Sequence, residues 1–112
     1  MELSTYTLEA TIVRGLVESD GDYHLVIQGK SGATMVAESP APSRAHVGDT
    51  PWYKEILAVR QQLEARAVVS RQSESVPIRI TGVGFFDIVH GQTGMAPSGL
   101  NLHPILKVDF LQ

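Results

Sequence analysis

Asp87, His90 and His103 are the side chains whose types could converge on chemistry. One carboxylate and two imidazoles are a common ligand set for zinc or iron. His24 could add a further ligand, although its plainer reading is an ordinary exposed or barrel-wall histidine. The competing reading is that the three residues brace a long loop. Irregular backbone leaves many amides and carbonyls to satisfy, and buried His and Asp side chains do that well. No helical His pair or other strong metal-ligand spacing is present, so bracing is the expectation and no metal ligand or cofactor is assigned.

Other chemistries have weaker support. Gly91, Gly94 and Gly99 match neither phosphate-binding glycine pattern, and no Lys follows them. Turns that need positive φ explain them more simply. Glu9, Asp22, Glu38 and Asp87 could supply an acid–base pair. Glu38 ends an otherwise apolar strand just before Pro40, where bonding to loop amides is its expected role. No Ser stands in a Gly-x-Ser-x-Gly context. Arg14 and Arg79 lie on predicted strands without a recognisable set of acids around them.

The elements that must position these residues follow from hydrophobic spacing. Residues 5–17 alternate, with Tyr6, Leu8, Ala10 and Ile12 on one face, and Gly15 is a plausible bend. Tyr6 is expected in the core with its neighbours. Asp20-Gly21 marks a hairpin turn into a strand from Tyr23 to Gln28. Gly29 to Gly32 turns the chain into a third strand, Ala33 to Glu38, which Pro40 and Pro42 stop. After a polar linker over 39–49, Thr50 can cap a helix with Pro51 in its first position. Trp52, Ile56, Val59 and Leu63 form its apolar stripe. The helix fades near Arg66 to Ser70, and a polar loop follows. Pro77 opens a fourth strand, Ile78 to Phe86. The last strand is Leu102 to Leu111, with Leu102, Leu106, Val108 and Phe110 alternating. Between these two strands runs the glycine-punctuated loop.

The order β-β-β-α-β-β predicts a mainly β fold, an OB-fold-like five-stranded Greek-key barrel with one helix. The helix would plug the barrel bottom with its Trp52 and Ile56 stripe. The long loop would flank the face that OB-folds use for binding.

With 112 residues the chain suits a single domain over 1–112. It has no Cys, which excludes disulfides, thiolate metal sites and cysteine nucleophiles. No apolar run approaches a membrane span, so no membrane partner is expected. The first residues lack the pattern of a signal peptide, which predicts a cytoplasmic protein. A secreted protein whose leader had been removed would read the same. Net charge is −3, and the nine Lys and Arg are scattered, so nucleic acid is not the expected partner.

The run from Gly82 to Leu106, Gly-Val-Gly-Phe-Phe-Asp-Ile-Val-His-Gly-Gln-Thr-Gly-Met-Ala-Pro-Ser-Gly-Leu-Asn-Leu-His-Pro-Ile-Leu, resembles the C-terminal signature of a group of small bacterial proteins of unknown function. So do the segments starting at Asp20 and Ala33. The resemblance implies one compact domain and no activity. Members of the group tend to carry an acidic residue where Asn101 stands here.

The sequence therefore predicts a non-catalytic binding or interaction module that works through the loop from Asp87 to His103. Its ligand-binding candidates are Asp87, His90, Gln92, Thr93, Asn101 and His103, with His24 and Glu38 extending the surface. The expected partner is a protein or small molecule. The alternatives are a divalent-metal-dependent hydrolase using Asp87, His90 and His103, and a single-stranded nucleic-acid binder stacking bases on Tyr6, Tyr23, Phe85 or Phe86. Self-association through an uncovered barrel edge or an exposed Phe stays open.

Overall fold

The computed structural model describes residues 4–43, 50–69, 75–86 and 99–111. Asp87, His90, Gln92, Thr93 and most of the glycine-rich loop lie outside these residues, as does the linker over 44–49.

The described elements are β1 (Thr5–Val17), β2 (Tyr23–Gln28), β3 (Thr34–Ser39), α1 (Tyr53–Ala65), β4 (Val76–Phe86) and β5 (Leu100–Phe110). The strands close into a barrel in the order β1-β2-β3-β5-β4, with β1 and β4 also paired. The fold is the predicted five-stranded OB-type barrel. Closure pairs β1 with β4 from Thr5–Val83 to Ile12–Val76.

Both hairpins close by the same three-residue loop. Gly21 N–H donates to the Glu18 carbonyl, and Gly32 N–H donates to the Gly29 carbonyl. Each loop ends on a glycine at φ +89°, the left-handed position such a loop needs. The second loop sets the β2–β3 register, which pairs Gln28 with Thr34, Val26 with Val36 and His24 with Glu38.

The core lies inside the ring. Ile12, Leu25, Ile27, Ala37, Ile78, Ile80, Leu102, Ile105 and Val108 fill it. Helix α1 covers one end, inserting Val59 and Leu63, while Gln62 Nε2 donates to the Val108 carbonyl at 3.1 Å. The stripe holds at Ile56, Val59 and Leu63, but Trp52 is only half-buried. The helix starts two residues later than predicted. Thr50 Oγ1 accepts from Trp52 N–H at 3.4 Å, closing a turn ahead of the helix instead of capping it.

Val68 and Val69 lie beyond the helix, as expected, and belong to the core. Three further expectations change. Gly15 is not the bend. The β1 register shifts between Ile12 and Arg14, and Gly15 instead admits the Val68 carbonyl, which a Cβ would meet at 1.9 Å. Tyr6 is 37 % exposed; its ring lies over Gly84 at the strand end. On β5, Ile105 rather than Leu106 faces inward. The β4–β5 register shifts between Gly82 and Gly84, so Leu102 and Ile105 both reach the core. Pro104, preceded by a cis peptide bond, sits within this irregularity and has no N–H for the ladder.

Candidate functional site

Residues of β2 alternate between the core and the outer face of the barrel. Leu25 and Ile27 point inward, so His24 and Val26 point outward. The same parity on β3 sends Val36 and Glu38 outward. The parallel β3–β5 join pairs Val36 with Asn101 and Ala37 with Leu102, which brings His103 beside Glu38. The outer face therefore carries two rungs. One is Val26, Val36 and Asn101, all buried. The next is His24, Glu38 and His103, all half-buried.

The β1–β2 loop completes the second rung with acids. Glu18, Asp20 and Asp22 come from it, and Glu38 belongs to both groupings that include a histidine. One ligand-capable atom each of Glu18, His24 and Glu38 lies within 4.8 Å of the others, and the same holds for Asp22, Glu38 and His103. His24 Nδ1 is 3.9 Å from Glu38 Oε1, too far for a hydrogen bond. His24 Nε2 is buried with no hydrogen-bond partner among the described residues.

Crowding of this kind has an electrostatic consequence. Burial, then the negative charge of Glu18 and its side-chain hydrogen bond, then the charges of Asp22 and Asp20, push the Glu38 carboxyl up to about 7. Burial disfavours the charged form, and the neighbouring carboxylates add to that. A neutral Glu38 can donate its proton to Glu18, whereas an ionised one leaves two carboxylates facing each other.

Asp22 plays a different part. Its Oδ1 accepts from the buried Ala41 N–H at 2.8 Å. The loop-bracing role expected of Glu38 thus belongs to Asp22. Behind it, Arg60 on α1 is buried and donates to the carbonyls of Ser39, Pro40 and Gly21 at 3.1, 3.2 and 3.1 Å. Its guanidinium carbon sits 3.6 Å from the centre of the Tyr23 ring, and Tyr23 donates its hydroxyl proton to Glu64. Sequence reasoning did not single out Arg60. A charged residue one position past Val59 on the apolar stripe was the available signal.

Of the sequence candidates, Asn101 is buried on β5 opposite Phe85, and His103 stands in the second rung. Asp87, His90, Gln92 and Thr93 lie outside the described residues. Glu9 is elsewhere, on the exposed part of β1, where it accepts from Arg79 Nη2 at 2.8 Å. Glu18 was not singled out, and Asp20 only as a turn residue. Counting back from the Gly29–Gly32 turn would have set His24 against Glu38, because hairpin register follows from loop length.

Two other features lie away from this rung. A groove of about 370 Å³, lined among others by Glu9, Gln28, Lys30, Pro77 and Leu111, opens at the far end of β2. The exposed aromatics Tyr6 and Phe85 are on β1 and β4. No described helix is long and apolar enough to cross a membrane. Comparison of the chain with protein families, curated proteins and solved structures finds no match.

Proposed function

We propose that the chain is a non-catalytic binding module whose working face is the outer surface of β2, β3 and β5, edged by the β1–β2 loop. OB-type barrels bind on this face, between the loops that join strands one to two and four to five. The observation that carries the reading is the His24–Glu38–His103 rung flanked by Glu18, Asp20 and Asp22. Asp20 and Asp22 also bond loop amides, but core packing does not call for Glu18, His24 or Glu38. They stand outside the ring, and Glu38 is crowded by like charge. Groups held in an unfavourable arrangement are a mark of sites kept for function at a cost in stability.

The chemistry of the face selects its ligand. Four carboxylates and two imidazoles favour a cation or a cationic group. They repel phosphate, which speaks against a nucleic-acid backbone as the partner.

The test is the stability of Glu38→Gln and Glu18→Gln in chelator at pH 8, measured by urea unfolding. A binding role predicts that each variant is more stable than the native chain, by about 1 kcal/mol for Glu38→Gln, because like-charge crowding is relieved. A loss of stability in both would make these carboxylates braces and end the proposal.

A further inference from the structure

We propose that Glu18, His24 and Glu38 bind one divalent transition-metal ion of the zinc type. The inference rests on the binding-face reading and names its ligand. The three residues offer one imidazole nitrogen and two carboxylate oxygens, all within 4.8 Å of one another. Donors around zinc stand roughly 3.3 Å apart, as tetrahedral geometry at ordinary zinc–ligand distances requires. Small rotations about the glutamate side chains close that gap. Glu18 is exposed, and its side chain already bonds that of Glu38.

Charge and donor type agree with this ion. Two carboxylates balance a divalent charge, and the set mixes nitrogen with oxygen, which zinc and its neighbours accept readily. His24 turns its Nδ1 toward Glu38, at 3.9 Å, and that nitrogen is the donor offered to the ion. Its Nε2 is buried without a partner among the described residues. The buried rung of Val26, Val36 and Asn101 lies against it and limits solvent on that side. Three protein ligands leave a fourth position for water or for a donor from a partner.

The two neighbouring groupings carry less. Glu18, Asp20 and Asp22 offer only oxygen, and both aspartates are engaged: Asp20 Oδ1 accepts from Asp22 N–H at 3.0 Å, and Asp22 Oδ1 accepts from Ala41 N–H at 2.8 Å. That same bond commits Asp22 in its grouping with Glu38 and His103.

The experiment is calorimetric titration of the chelator-treated full chain with Zn²⁺ and, separately, with Ca²⁺. Co²⁺ absorption serves as a second readout of nitrogen–oxygen coordination. One Zn²⁺ per chain is expected, with Ca²⁺ far weaker. His24→Ala and Glu38→Gln should each weaken Zn²⁺ binding by about 10-fold or more, and His90→Ala should not. Glu38→Gln keeps the side chain's size, so circular dichroism of that variant separates a lost ligand from a lost fold. No Zn²⁺ binding at about 100 µM would overturn the metal. So would native affinity in both variants, or binding lost in His90→Ala alone. If zinc fails while Glu38→Gln still raises stability in chelator, the metal is removed and the binding face stands.

Discussion

Arg60 lies with its guanidinium carbon 3.6 Å from the centre of the Tyr23 ring, and through that contact the helix grips the end of the barrel where the carboxylates gather. The same guanidinium donates to three carbonyls, one in the β1–β2 loop, one on the last residue of β3 and one just after it. It fixes the two segments between which Glu18, Asp22 and Glu38 are held.

Removing Arg60 should therefore be costly. Arg60→Ala leaves three carbonyls without their donor in a buried setting and removes a ring contact. A loss of about 2–4 kcal/mol is expected from urea unfolding. Arg60→Lys should recover little of it, because an ammonium cannot reproduce the planar fork. Full rescue by Lys would mean that charge alone, not geometry, holds the loops.

Two glycines should respond in opposite ways. Gly15→Ala places a Cβ 1.9 Å from the Val68 carbonyl oxygen, which is backbone and cannot swing aside. A loss of about 2 kcal/mol or more is expected. At Gly29 a Cβ meets nothing within 4 Å. Gly29→Ala should leave the melting temperature near its native value, and a large drop there would contradict the open surroundings described.

Glu38 should give the metal-free chain a falling stability as pH rises. Its carboxyl is raised from 4.5 to about 7 in the folded state. Below pH 4.5 both states hold the proton, so Glu38 contributes no pH dependence. Between 4.5 and 7 the unfolded chain releases it first, so stability falls; above 7 both states are ionised and the loss is complete. The side chain is 27 % exposed and solvent screens it, so the loss is about 1 kcal/mol rather than the full shift. The difference between native and Glu38→Gln unfolding curves across pH 4–8 isolates it from the histidines. A constant difference over that range would rule the effect out.

Tyr6 and Gly84 should prove coupled. A Cβ at Gly84 would lie 2.2 Å from the Tyr6 ring. Gly84→Ala should cost about 1 kcal/mol in the native chain and clearly less in Tyr6→Ala. Additive losses in the double variant would show that the ring moves away freely.

The parts of the barrel that a linear reading captured are those governed by neighbours in the chain. Asp20-Gly21 and Gly32 announce their loops because a left-handed residue is needed there. Ile56, Val59 and Leu63 announce the helix by spacing, and the element order follows. The misreadings arise where two segments meet from afar. Leu106 kept step with the β5 alternation on paper, but the register shift around Pro104 turned Ile105 inward instead. Gly15 looked like a hinge until the Val68 carbonyl arrived against it. Tyr6 shared its face with Leu8 and Ile12 yet sits past the end of the core. The candidate site divides in the same way. His24, Glu38 and His103 were each noticed, but their alignment depends on cross-strand register, and Glu18 enters only once the first loop is closed.

The ring is completed by the shortest of its described ladders, the parallel join of Val36 with Asn101 and Ala37 with Leu102. The hairpins β1–β2 and β2–β3 zip from chain neighbours, whereas this seam waits until both halves of the molecule are in place. Loop-closure entropy makes such a join late to form, and we expect it to be early to part. Glu38 and His103 sit on opposite sides of it. A ligand that grips only β3 leaves the seam as it is. One that also reaches His103 acts as a clasp, and its signature would be a longer lifetime of the closed ring rather than any change in its shape.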